Sequence, residues 1–274
     1  MVRGARWQER LARVGIVGLA WLSLLVVVLP LGLVVWLSFF ADEIPALPPA
    51  GYSLRWYRAA LGLPQFASGF ETSLIVAVMA TTAGLLVSIP AALVLARGRF
   101  PGRSVIVQVL TAPLIVPAIV IGAGMYVAFV QAEVATGLEL TGNAATLAAG
   151  HALLTIPWCL RLLLANLAGL DPATEEAALS LGARPFTAVR LITLPMVWPG
   201  VVAAALFSFV VSFSNLEISI FLVVPGETTL PIAIFQYLQW KMDPTVAAVS
   251  TLQIAIVGLG LLLTNRFVPL GRVL

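Results

Sequence analysis

The sequence predicts an all-α integral membrane protein with six transmembrane helices, and three observations carry that prediction. Of 274 residues, 61% are apolar and only 10% are charged, against roughly a quarter charged in an ordinary soluble domain. The mean hydropathy is +1.05, more apolar surface than a water-soluble fold can hide. The apolar residues also gather into six stretches near the ~20 residues that a bilayer-crossing helix needs. The same numbers exclude disorder, a disulfide scaffold and a nucleic-acid-binding domain. The net charge is only +3, and Cys159 is the single cysteine.

The first stretch, 14–40, is uncharged over 27 residues and contains Pro30. Arg3, Arg6, Arg10 and Arg13 precede it, as in a signal peptide. Its apolar run far exceeds the ~7–15 residues of a signal core, so a retained helix is expected. The second covers about 72–96 with Pro90 inside, and the third about 104–132 with Pro113 and Pro117. The fourth, weaker, covers about 142–160, with Arg161 closing it as an inner-face anchor. The fifth covers about 196–224 and contains Glu217, and the sixth about 244–265. Proline is tolerated in membrane helices where neighbours satisfy the freed carbonyls, so kinked helices are expected.

Six spans put both termini on one side. With the termini inside, the inner segments hold Arg3, Arg6, Arg10, Arg13, Arg97, Arg99, Arg103, Arg161, Arg184, Arg190, Arg266 and Arg272. The outer segments hold only Arg55, Arg58 and Lys241. This asymmetry selects cytoplasmic termini and makes the basic balance a topology signal. Two outer segments are more than loops. In 42–69, Trp56 and Tyr57 beside Arg55 and Arg58 suit a short helix at the membrane surface. In 225–243, Tyr237 and Trp240 suit an aromatic belt.

The longest inner segment, 166–195, has helical design. Asp171 can cap, Pro172 fits the first turn, and Glu175 and Glu176 sit at the positive end. Ala177, Ala178, Leu179 and Leu181 continue the helix until Gly182 ends it. Pro185 opens a second short helix through about Leu191, and Ile192 to Pro195 leads into the fifth span. A rigid helix and turn between two spans can dock on a soluble partner as a lever.

In the fifth span, Ser208, Ser212, Asn215 and Ser219 share one stripe at 100° per residue, a candidate translocation path. Glu217, the one acid well inside a span, points nearly opposite unless Asn215 marks a helix break. An acid in lipid costs roughly 2.5–3.5 kcal/mol on insertion scales, so Glu217 should face the bundle or a cavity. His151 and Cys159 share the fourth span with Trp158, and no further His or Cys completes a metal site, so packing is the expectation. The sole lysine, Lys241, has no glycine before it, so no GxxxxGK[ST] nucleotide loop is present. An ion-coupled secondary transporter would place several titratable groups at mid-membrane. An intramembrane enzyme would need a metal triad or a nucleophile with its base. Neither set is seen in the sequence.

Glu176-Ala177-Ala178, then Gly182 after three intervening residues, and Ile192-x-Leu194-Pro195 after nine more resemble the EAA loop of permease subunits in binding-protein-dependent ABC importers. Ile89-Pro90-Ala91-Ala92, the stretch from Ala96 to Gly102, Leu170-Asp171-Pro172, Ser212-Phe213, Ser219 and Phe221-Leu222 extend the resemblance. Thr229-Leu230-Pro231 and the stretch from Asp243 to Ala248 are most similar to the spermidine/putrescine branch. The resemblance implies a type I importer permease fold in the bacterial cytoplasmic (inner) membrane. It divides the chain into an N-terminal helix and external segment, 1–69, and a five-helix core, 70–274. It implies a second permease in a heterodimer, an ATPase dimer docking at Glu175, Glu176, Ala177, Ala178, Gly182, Ile192, Leu194 and Pro195, and an external solute-binding protein. Glu176 would orient the docking helix, and Gly182 would permit close approach of the ATPase. No cofactor is expected in this chain, since ATP and Mg would be used by the partner. Polyamine-type relatives often carry an acid at the position of Ser214; here the nearest acid is Glu217.

Overall fold

The computed structural model describes residues 2–223 and 228–267, with side chains for 13–223 and 228–262. The side chains of Arg3, Arg6, Arg10 and Arg266, together with Arg272 and the start of the outer segment at Pro225, lie outside the described residues. Among the described residues the fold is helical, with one isolated antiparallel bridge between Phe40 and Tyr52. Six helical segments are long and apolar enough to cross a membrane: Arg13–Leu37, Pro64–Arg97, Ala118–Thr136, Ala144–Ala168, Pro185–Phe213 and Thr245–Leu262.

The chain divides into two compact units, 1–63 with 237–255, and 64–236 with 256–274. The sequence boundary at 69/70 left the last span whole within the core, whereas its first half groups with the N-terminal unit.

In the first unit, α1 (Val2–Leu37) is one continuous helix that accommodates Pro30. Every side chain from 13 to 33 is exposed, so the helix presents apolar surface on all sides, as a lipid-facing helix does. α2 (Arg55–Gly62) departs from the expectation for its aromatics. Trp56 is buried and donates from Nε1 to Phe40 O at 2.7 Å, and Tyr57 OH lies 2.6 Å from Ser38 Oγ. These rings pin α2 to the end of α1, because each polar tip finds a protein partner. Arg55 lies over the Trp56 ring, 4.2 Å from its centroid.

Asp243 organises the start of α12 (Thr245–Phe267). It accepts from Thr245 N–H and Tyr237 OH, each at 2.9 Å, and pairs with Lys241 Nζ at 3.4 Å. Burial alone would raise its carboxyl, but these hydrogen bonds outweigh burial and hold it below the usual carboxylate value. The stabilisation is therefore present at neutral pH and lost as pH falls through the lowered carboxyl value. Asp243→Asn is expected to cost about 1 kcal/mol at pH 7, as lost caps do. Thermal unfolding in nanodiscs should show that deficit shrink as the wild-type carboxylate protonates.

In the second unit, α3 (Pro64–Arg97), α6 (Ala144–Ala168) and α9 (Leu194–Phe213) form the core. α3 buries small residues, among them Ala77, Ala80, Gly84, Ser88 and Ala92, which let the helix backbones approach closely. Thr155 Oγ1 donates to Ala80 O at 2.9 Å, and Ser88 Oγ donates to Ile156 O at 3.0 Å. Toward the other end, Leu95, Leu160, Leu163, Leu167, Val197 and Val201 fill an apolar cluster. Arg103 Nε closes the end of α3 by donating to Leu95 O at 2.6 Å.

Three expected spans change. The third stretch is two helices, α4 (Arg103–Thr111) and α5 (Ala118–Thr136), separated by a 3₁₀ turn and by Pro117, which precedes α5. Two prolines one turn apart remove two donors and clash with two carbonyls, so the segment breaks rather than kinks. The fourth span runs on to Ala168, so Arg161 lies within it instead of closing it. Its start is capped by Asn143 Oδ1, which accepts from Ala145 N–H and Thr146 N–H. The fifth begins at Pro185, eleven residues before the expected start at 196, and ends at Phe213. The second short helix of the inner loop is thus the first turn of a span. A π-turn, Val189–Thr193, joins the two parts, with Leu194 N–H donating to Val189 O.

Candidate coupling loop and translocation path

α7 (Ala173–Ser180) is the helix expected in the inner loop. Asp171 Oδ1 accepts from Ala173 N–H at 2.9 Å, ordering its start. Its end is a Schellman motif: Ala183 N–H donates to Ala178 O, and Gly182 N–H donates to Leu179 O. Gly182 has φ +89°, the left-handed geometry this stop requires, and a Cβ there would meet nothing within 4 Å. The tight stop leaves Leu181 and Phe186 as exposed apolar side chains on either side of Gly182, at 89% and 76%.

The two acids of α7 have different surroundings. Glu175 Oε2 accepts from Thr193 Oγ1 at 3.1 Å and lies 3.6 Å from Arg97 Nε. It ties α7 to the last residue of α3 and to the π-turn within the fifth span. Glu176 is exposed on the first turn, so the acid held against neighbouring helices is Glu175. Ala177 is exposed and Ala178 half-buried. Ile192 and Leu194 are half-buried around the π-turn, and Pro195 is exposed. Thr193 and Phe186 escaped the sequence reading, which took Arg97 only as a topology signal and Leu181 only as a helix former. Two large apolar residues inside a hydrophilic insertion were the available signal for Leu181 and Phe186.

The serine stripe lies in a helix-packing seam. Ser208 Oγ lies 3.0 Å from Cys159 Sγ, and Ser212 and Ser219 contact the two ring nitrogens of His151. All three serines are buried among their neighbours, so their polar atoms are occupied inside the chain. Asn215 does mark a helix break: α9 ends at Phe213, and α10 (Ser219–Leu222) restarts four residues beyond Asn215. Glu217 therefore lies in a non-helical link rather than within the span, and it is exposed. It accepts from Asn215 Nδ2 at 3.0 Å. Of the five path candidates, Glu217 alone offers an open polar group.

Residues 84–270 match the family described as binding-protein-dependent transport system inner membrane component. The chain is 34% identical over 211 residues to the putrescine transport system permease protein PotI of Escherichia coli (strain K12), covering 77% of this chain and 75% of that protein. It is 28% identical over 202 residues, 74% of each chain, to the spermidine/putrescine transport system permease protein PotC of the same organism. Among solved structures, it resembles a chain of the bacterial alginate ABC transporter in complex with an alginate pentasaccharide-bound periplasmic protein. That match has a TM-score of 0.73 at 17% identity over 94% of this chain and 95% of the other. At that identity the likeness is one of fold.

Proposed function

This chain belongs to the family of binding-protein-dependent transport system inner membrane components, and from that premise we propose that it forms half of an ATP-driven import pathway for a polyamine. It is a multi-pass inner-membrane permease with the type I importer fold. The proposed partners are a second, different permease chain, an ATPase dimer at the cytoplasmic loop and an external solute-binding protein. ATP and Mg would be used by the ATPase, not by this chain. Both termini are assigned to the cytoplasm by the arginine asymmetry.

The observation that carries the coupling role is the build of 171–195. α7 is stopped by Gly182, presents Leu181 and Phe186 outward, and is tied by Glu175 to two spans. A force on α7 then reaches α3 and the fifth span as a rigid displacement. Glu176, Ala177, Ala178, Ile192, Leu194 and Pro195 complete the proposed coupling loop. The polyamine assignment is supported by the putrescine and spermidine permeases it resembles and by the open carboxylate of Glu217, which suits an ammonium group.

The test is putrescine uptake by the complex purified from its full operon and reconstituted in proteoliposomes. Uptake should need ATP and the binding protein, and spermidine should compete. Glu217→Gln should raise the half-saturating concentration about tenfold, the scale of one charge-assisted hydrogen bond. Unchanged uptake would take Glu217 off the path. Failure of every polyamine to compete would overturn the substrate assignment, and uptake driven by an ion gradient without ATP would overturn the importer reading.

A further inference from the structure

Between Phe213 and Ser219 the chain leaves helical geometry inside an apolar bundle. Backbone groups freed there need partners. Ile218 N–H donates to Asn215 Oδ1, and the Ser219 hydroxyl donates to Asn215 O, both at 2.9 Å. Ile218 is fully buried in a close socket. A Cβ on Gly122 would lie 3.0 Å from its Cα, and one on Gly150 would lie 3.0 Å from its Cγ2. From α6, the chain's one histidine reaches both sides of the break: His151 Nδ1 is 2.8 Å from Ser212 Oγ, and Nε2 is 3.0 Å from Ser219 Oγ.

Counting hydrogens assigns the protons. A carbonyl only accepts, so the single hydroxyl hydrogen of Ser219 is committed to Asn215 O. Toward His151, Ser219 must then accept, and Nε2 carries the ring hydrogen. The two ring nitrogens contact hydroxyls, and a buried charge without a counterion is costly, so the ring is neutral. Nδ1 is left bare and accepts from Ser212. Asn215 Nδ2 in turn donates to Glu217 Oε2. From Ser212 through His151, Ser219 and Asn215 to Glu217, each group donates to the next.

We propose that His151, as its Nε2–H tautomer, is a positioning residue that clamps the 214–218 segment and thereby orients Glu217. The link to transport rests on the importer reading, but the tautomer does not. Because the chain has one histidine, the full chain labelled at histidine and purified without a polyhistidine tag in nanodiscs gives one imidazole spin system. Its proton should sit on Nε2, and Ser219→Ala should yield a mixture of tautomers. A wild-type ring protonated on Nδ1, or on both nitrogens, overturns the clamp.

In the reconstituted complex, His151→Gln should lower putrescine uptake about tenfold, the scale of a broken buried hydrogen-bond network. The His151→Gln/Glu217→Gln pair should be no worse than the worse single variant, whereas effects that multiply would overturn the clamp. If His151→Gln fails to assemble, Ser219→Ala, which keeps the ring, carries the same comparison. A wild-type complex without ATP-driven putrescine uptake overturns the importer reading instead, and the tautomer then decides the clamp by itself.

Discussion

Gly182→Arg is expected to abolish ATP-driven uptake and the co-purification of the ATPase while leaving the permease folded. Gly182 occupies the left-handed position of the Schellman stop, φ +89°. A side chain there costs about 1–2 kcal/mol of backbone strain. A Cβ would meet nothing within 4 Å, so bulk adds no clash inside the chain. The added volume enters open space in the turn that carries exposed Leu181 and leads to exposed Phe186, where the proposed partner docks. Gly182→Ala supplies the control, because it carries the same strain with little bulk. The proposed docking role requires Gly182→Ala to retain the ATPase and Gly182→Arg to lose it. Equal loss in both variants would assign the defect to the turn, and retention in both would take Gly182 out of the interface.

The contrast between what the sequence conveyed and what it hid follows the range of the interactions. The α7 start at Asp171 and stop at Gly182 depend on neighbours within a few residues, and both were legible. So were the six apolar spans. The break at Pro113 and Pro117 was misread as a kink because single prolines such as Pro90 and Pro157 do stay inside helices here. Pro195 and Pro199 have the same spacing of four, yet the helix holds, with Pro195 placed directly after the π-turn Val189–Thr193 and Leu194. Position in the helix, rather than spacing, decides the outcome.

The geometry of the serine stripe was hidden for a related reason. The 100° count from Ser208 to Ser219 assumed one continuous helix, and the break after Phe213 resets the phase. The serines nevertheless share a seam because α6 supplies His151 and Cys159 to both sides of that break. Which acid of Glu175 and Glu176 is tethered is settled by Arg97 and Thr193, partners that no local pattern reveals. Trp56 and Tyr57 look alike as membrane anchors or as pins, and only the acceptors at Phe40 and Ser38 distinguish the two.

The largest effect on folding is expected at Gly84, midway along the seam of α3 and α6. A Cβ there would lie 2.7 Å from Thr155 Oγ1, 3.2 Å from Thr155 Cβ and 3.4 Å from Cys159 Sγ. The Thr155 hydroxyl cannot simply swing away, because it is bonded to Ala80 O and its Cβ is crowded as well. Gly84→Leu should therefore force the two helices apart and yield no monodisperse protein in detergent. Gly84→Ala should fold with a loss of about 1–3 kcal/mol, the usual range for overpacking. Adding Thr155→Ala removes the nearest clashing atom while sacrificing one hydrogen bond. If the clash governs, the double variant should unfold at a higher temperature than the sum of the single effects allows, as expected for residues in direct contact. Strict additivity would instead mean that Gly84 matters through its own backbone freedom in α3, and Gly84→Ala would then behave like a glycine replaced in any exposed helix.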